Sequence, residues 1–137
     1  MKIAVTAATG GLGTATLNAL HDLDAGHELV AVARTPEKAK PLERLGVEVR
    51  EGDYANAEDF PAAFEGVDAV LLVSGMDAPD KRIGQHRNVI AGADPSSKGP
   101  LVLVSAHLDT VLAPRKPEDI AVNGSGRFEG PGVADNG

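Results

Sequence analysis

The chain has 137 residues, 42% apolar and only 3% aromatic, with no cysteine and a net charge of −7. That length suits one domain burying about two-thirds of its unfolded surface, around a core of Val, Leu, Ile and Ala. The charge argues against nucleic acid or an anionic membrane as partner; the missing cysteines exclude disulfides, a thiolate nucleophile and Cys-ligated zinc, as fits a cytoplasmic protein.

In chain order, strands and helices alternate. Lys2–Ala7, rich in Ile and Val, reads as a strand, with no apolar leader segment before it. A helix over Gly11–Asp24 follows, with Leu12, Ala15, Ala19, Leu20 and Leu23 at helical spacing and Gly26 as its C-terminal cap. Glu28–Ala33 is a second strand. Thr35 caps the next helix, Pro36 takes its first position, and it ends near Gly46. Val47–Arg50 is a short third strand. A helix over Asn56–Glu65 is shortened or kinked by Pro61. Asp68–Val73, nearly all apolar, reads as a fourth strand covered on both faces. Asp80–Ala93 is a helix and Leu101–Ser105 a fifth strand. No apolar run approaches the ~18 residues that span a membrane.

This alternation predicts an α/β fold: a Rossmann-like, doubly wound parallel sheet of about five strands with right-handed crossovers. The expected strand order is 3-2-1-4-5, with a ligand crevice at the carboxyl ends of strands 1 and 4. From Pro114 on, Pro and Gly are frequent and apolar periodicity stops. Residues 1–110 are therefore expected to form the domain, and 111–137 a loop-rich or disordered tail.

The turn Ala7-Ala8-Thr9-Gly10-Gly11-Leu12-Gly13 carries the chemistry. Glycines let the backbone turn sharply and approach a ligand, and the following helix offers unpaired N–H groups and a positive dipole end to a phosphate. A tight strand-to-helix connection would need the same residues. After the second strand stands Arg34, where NAD binders place an acid for the ribose 2′-hydroxyl; an arginine suits a 2′-phosphate, though a solvated surface charge reads identically. His86 falls on a helix face with Ile83 and Ile90, as a core or half-buried histidine would. No Tyr-x-x-x-Lys exists, and no Gly-x-Ser-x-Gly surrounds Ser105.

Thr6–Gly13, Val32–Ala39, Gly52-Asp53-Tyr54 and Gln85–Ile90 resemble the NmrA-like branch of atypical short-chain dehydrogenases, and within it the NAD(P)H:quinone oxidoreductases. The resemblance spans residues 1–93 and implies NADP(H) as cofactor. It implies cofactor contacts at Thr6, Thr9, Gly10, Gly11, Leu12, Gly13, Arg34, Lys38, Asp53, Tyr54, Ser74 and Gly75. Among these, Thr9 to Leu12 would meet the pyrophosphate and Arg34 the 2′-phosphate. Asp53 and Tyr54 would lie near the adenine, and Ser74 and Gly75 would line the ribose and nicotinamide. Two departures stand out. Ala7 replaces the first glycine of the family's Gly-x-x-Gly-x-x-Gly, at a cost on the order of 1 kcal/mol if that residue needs positive φ. The family's substrate-binding portion after the fifth strand is absent or replaced.

Residues 96–137 resemble instead the start of an M20-type zinc peptidase, through Leu101–Val111 and Gly126–Gly137. That resemblance implies His107 and Asp135 as zinc ligands and Asp109 as the residue orienting His107. The family's paired glutamates have no counterpart here, and a catalytic zinc needs three protein ligands and an open position, so zinc is not expected.

The sequence thus points to a truncated NADP(H)-binding oxidoreductase domain transferring hydride to a quinone-like acceptor. Alternatives are an NADP(H)-sensing module without turnover and a metal-binding peptidase fragment. The expected partner is a small-molecule acceptor, with no nucleic acid and no membrane; homo-oligomer formation is left open.

Overall fold

In the computed structural model, which describes residues 1–93, 102–106, 121–122 and 128–129, the apolar runs form five parallel strands. They are β1 (Lys2–Val5), β2 (Glu28–Ala33), β3 (Glu48–Glu51), β4 (Ala69–Val73) and β5 (Val102–Ala106). Their order is β3-β2-β1-β4-β5, as the alternation predicts. Val5 of β1 stands opposite Ala31 on one side and Leu71 on the other. The crossovers carry helices α1 (Gly11–Asp22), α2 (Pro36–Ala39), α3 (Phe60–Ala63) and α4 (Pro79–Gly92).

Strand periodicity sorts the core into two faces. Ala4, Val30, Val32, Val70 and Leu72 pack with Phe60, Ala63 and Phe64 and with Val89 of α4. Val5, Leu29, Ala31, Ala33 and Val73 pack with Leu17 of α1 and with Ala39 and Leu42. Leu29 through Ala33 are all buried, as expected of a strand covered on both sides.

Three sequence expectations are corrected. The buried stripe of α1 runs through Gly13 and Leu17, not through Ala15, Ala19 and Leu23, which are exposed. Gly13 has no side chain, so the helix lies close against the turn after β1 there and the stripe shifts in phase. The left-handed residue closing α1 is Asp24, at φ 44°, not Gly26; the Asp24 N–H donates to the His21 carbonyl. Asp tolerates that conformation better than most residues. After α2 the chain tightens into a 3-10 helix over Lys40–Leu45, because Pro41 has no N–H for an α-helical bond. Gly46, at φ 74°, closes it. Pro61 acts similarly: a 3-10 turn over Ala57–Asp59 precedes the four-residue α3.

The chain divides into two units, Met1–Ala106 and His107–Gly137. In the second, β6 (Ala121–Val122) pairs antiparallel with β7 (Phe128–Glu129). His107, Asp109 and Asp135, and with them the peptidase-like resemblance, lie outside the described residues. Among the described residues no helix is long and apolar enough to cross a membrane.

Candidate functional site

The carboxyl ends of β1, β2 and β4 converge on the glycine turn. Past β1 the ladder continues for two more bonds: Thr6 N–H donates to Leu71 O at 3.0 Å and Ala8 N–H to Val32 O at 3.1 Å. The turn is thereby fixed between β4 and β2. Ala7 lies between those bonds at φ 48°. This is the left-handed region, so alanine carries backbone strain that the family's glycine would not.

Two contacts then seat α1. Gly10 N–H donates to Ala7 O at 2.9 Å, and the Thr14 hydroxyl donates to Ala8 O at 2.8 Å. A Cβ on Gly13 would lie 2.4 Å from Ala7 O and 2.9 Å from Ala8 Cα. The helix start therefore approaches the turn more closely than any side chain permits. A Cβ on Gly11 would meet nothing within 4 Å. One glycine faces packed backbone and the other faces open space.

The first turn of α1 suits an anion. Gly10 is its N-cap and contributes no capping side chain, and no acidic residue stands in the first turn. The N–H groups of Gly11, Leu12 and Gly13 precede the first intrahelical bond, from Thr14 N–H to Gly10 O. Thr9, Gly10 and Gly11 are exposed. An open backbone cradle under a positive dipole end fits a pyrophosphate.

Arg34 directly follows β2, and Lys38 lies in α2. Both are exposed, and among the described residues neither has an ion-pair partner. Asp53 shapes the loop after β3. Its N–H donates to Asp59 Oδ2 and its Oδ1 accepts from Ala55 N–H, each at 2.9 Å.

Thr6 and Tyr54 occupy different places from those the resemblance implies. Thr6 is completely buried; its Oγ1 accepts from Val73 N–H at 3.0 Å and lies 3.3 Å from Leu71 O. Its side chain supports the site from below. Tyr54 folds inward from the β3–α3 loop. Its hydroxyl sits 2.6 Å from Thr6 Oγ1 and against the Val73 carbonyl oxygen. Its ring lies beside Gly75, where a Cβ would stand 3.8 Å from Tyr54 Cδ2. The phenol is thus at the β1–β4 junction and not toward the β2 end. Burial pushes its pKa up to about 12, against a smaller lowering by the Thr6 hydrogen bond.

Ser74 and Gly75 follow β4 and are half-buried. Beyond them, Gln85 Nε2 donates to Asp77 Oδ2 at 2.7 Å, which ties the loop to α4. Asn88 Nδ2 donates to the Tyr54 main-chain oxygen at 2.8 Å. The sequence marked Gln85–Ile90 as a motif without assigning these two amides a task; their signal is the i, i+3 spacing on α4. His86 is half-buried, as its position among isoleucines suggests, although Ile83 and Ile90 are themselves exposed. No group of three His, Cys, Asp or Glu able to hold a metal occurs among the described residues.

Comparison with known proteins adds the family. Residues 7–123 match the NAD(P)H-binding family, well past residue 93. Quinone oxidoreductase 2 of Escherichia coli (strain K12) is 38% identical over 91 residues, covering 66% of this chain and 32% of that protein. An NmrA-like family domain-containing oxidoreductase of Aspergillus flavus is 31% identical over 96 residues, covering 68% and 31%. Citrobacter sp. triphenylmethane reductase, solved in complex with NADP(H), superposes with a TM-score of 0.62 at 41% identity, covering 66% and 32%. The chain spans about a third of the length of each.

Proposed function

The chain belongs to the NAD(P)H-binding family, and on that premise we propose that it holds NADP(H) across the carboxyl ends of β2, β1 and β4 and serves hydride transfer to a quinone-like acceptor. One observation carries the reading: an open glycine cradle after β1, with Arg34 and Lys38 following the neighbouring strand β2 as two cations without ion-pair partners among the described residues. Main-chain N–H groups of Gly11, Leu12 and Gly13, at the open start of α1, hold the pyrophosphate. Arg34, supported by Lys38, pairs with the 2′-phosphate. Asp53 keeps its loop in place, Thr6 and Tyr54 support the floor, and Ser74 and Gly75 line the far half. Residues 1–110 form the binding domain, and 111–137 lie outside it. The bound cofactor supplies the hydride; the chain binds and orients it. The relative named as a quinone oxidoreductase supports a quinone-like acceptor.

Isothermal titration with NADPH and NADH tests the assignment. A charge-assisted contact from Arg34 is worth about 1.5–3 kcal/mol, roughly a 10- to 150-fold preference for NADPH. Arg34→Ala removes that preference. Equal affinity for the two cofactors in the unsubstituted chain overturns the reading.

A further inference from the structure

Tyr54 is the chain's single tyrosine, and its hydroxyl is spent where β1 and β4 part. A carbonyl oxygen only accepts, so the phenol proton belongs to Val73 O. The Thr6 hydroxyl then turns its own proton to the phenol oxygen. Thr6 also accepts from Val73 N–H. Both main-chain polar groups of Val73 are therefore held, one by Tyr54 and one by Thr6. Asn88 fixes the Tyr54 backbone from α4. The result is a buried, closed network joining the residue that leads into the glycine turn to the residue that leads into Ser74 and Gly75.

We propose that Tyr54 is a positioning residue that sets the gap between the two halves of the cofactor crevice. The inference rests on the NADP(H) reading above. The adenosine half has its contacts on the β1–β2 side, at the glycine turn and Arg34. The nicotinamide half has to cross to Ser74 and Gly75 beyond β4. A ligand that spans both sides is sensitive to the gap, whereas a ligand on the β1–β2 side alone is not. The phenol is protonated through the neutral range at its ordinary value of 10.0, and burial pushes it up to about 12, so the network is closed at neutral pH.

Titration of the full chain with NADPH and, separately, with adenosine 2′,5′-bisphosphate reads this directly. Tyr54→Phe weakens NADPH about tenfold, the value of one well-placed buried hydrogen bond, and leaves the bisphosphate unchanged. Thr6→Val gives the same split, and Thr6→Ser, which keeps the hydroxyl, restores NADPH affinity. The Thr6 pair also serves if Tyr54→Phe fails to fold. A purely structural role lowers the melting temperature but leaves the ratio of the two affinities at its unsubstituted value, and that outcome overturns the proposal while the cofactor reading stands. Binding of neither probe by the unsubstituted chain overturns both.

Discussion

At the amino end of the sheet, Lys2 of β1 reaches Glu28 at 3.3 Å and Glu48 at 3.2 Å, and Arg50 reaches Glu48 at 2.8 Å. Those carboxylates are open to solvent, with Glu28 76% and Glu48 49% exposed. At the carboxyl end the polar side chains that tie β1 to β4 are uncharged. Thr6 is wholly buried, Tyr54 is folded inward, and Ala7 is held at a strained φ of 48°. The two ends of one sheet thus use polarity for different ends. Exposed charges gain little, because water and salt screen them. Buried hydrogen bonds act in a low dielectric, where a missing partner costs much more. Strain persists only where the surroundings over-determine it, which is the usual mark of a functional turn.

The largest effect that would sharpen this contrast is at Gly13. A Cβ there meets backbone at 2.4 Å, and no rotamer relieves it. Gly13→Ala forces α1 off the turn, at a cost of about 2–3 kcal/mol, and a melting temperature lower by roughly 10 °C or more. NADPH affinity falls with it. Gly11→Ala, into open space, leaves the melting temperature nearly unchanged. Equal effects at the two glycines would erase the distinction between the packed and open faces of the turn.

A smaller effect of opposite sign is expected one turn earlier. Ala7 sits between two ladder bonds that fix its left-handed conformation. Ala7→Gly relieves that strain and stabilises the fold by about 1 kcal/mol net of the greater freedom glycine gives the unfolded chain. Thermal denaturation should show a rise of roughly 4–8 °C per kcal/mol in a small domain. A fall instead would mean that the turn relaxes to negative φ in solution.

Much of this was legible in the sequence. The alternation of β-branched runs with helical segments gives the strand order, and Pro36 and Pro61 stand where a helix starts or shortens, whereas the tightening at Pro41 is not among the sequence expectations. The glycine turn and Arg34 are legible because their chemistry is local. What local pattern could not reveal is phase and partnership. Leu17 is buried, and Leu23 is 70% exposed, because Gly13 sets the helix rotation through a contact with Ala7 O. Tyr54 looked like a ligand contact, but its hydroxyl is used by Thr6, 48 residues away. The Asn88 amide serves a carbonyl 34 residues away. Partners so far apart in sequence are brought together only by the tertiary fold, Thr6 and Tyr54 at the β1–β4 junction and Asn88 from α4.

The smallest effect belongs to the amino end. Glu48 has its pKa lowered, first by the Arg50 hydrogen bond and then by Lys2. A lowered carboxylate pKa gives stability that is present above the ordinary value of 4.5 and is lost as pH falls from there through the lowered native value. Lys2 is raised, first by Glu48 and then by Glu28, so its contribution is present below its ordinary value and is lost as pH rises past it. Between those limits the cluster is constant. Arg50 keeps its bonds to Ala63 O at 3.0 Å and Glu65 O at 2.8 Å whatever stands at position 48, so no buried charge is orphaned by substitution. Glu48→Gln is therefore expected to cost at most about 0.2–1 kcal/mol at low salt. Denaturant titrations at neutral pH should see that cost shrink toward zero in ~1 M salt, where the Debye length is roughly 3 Å. As pH falls through the lowered native pKa of Glu48 the two proteins should converge, because the native carboxylate is then protonated too. A salt-independent loss of more than about 2 kcal/mol would place this cluster with buried networks, and the two ends of the sheet would no longer differ in kind.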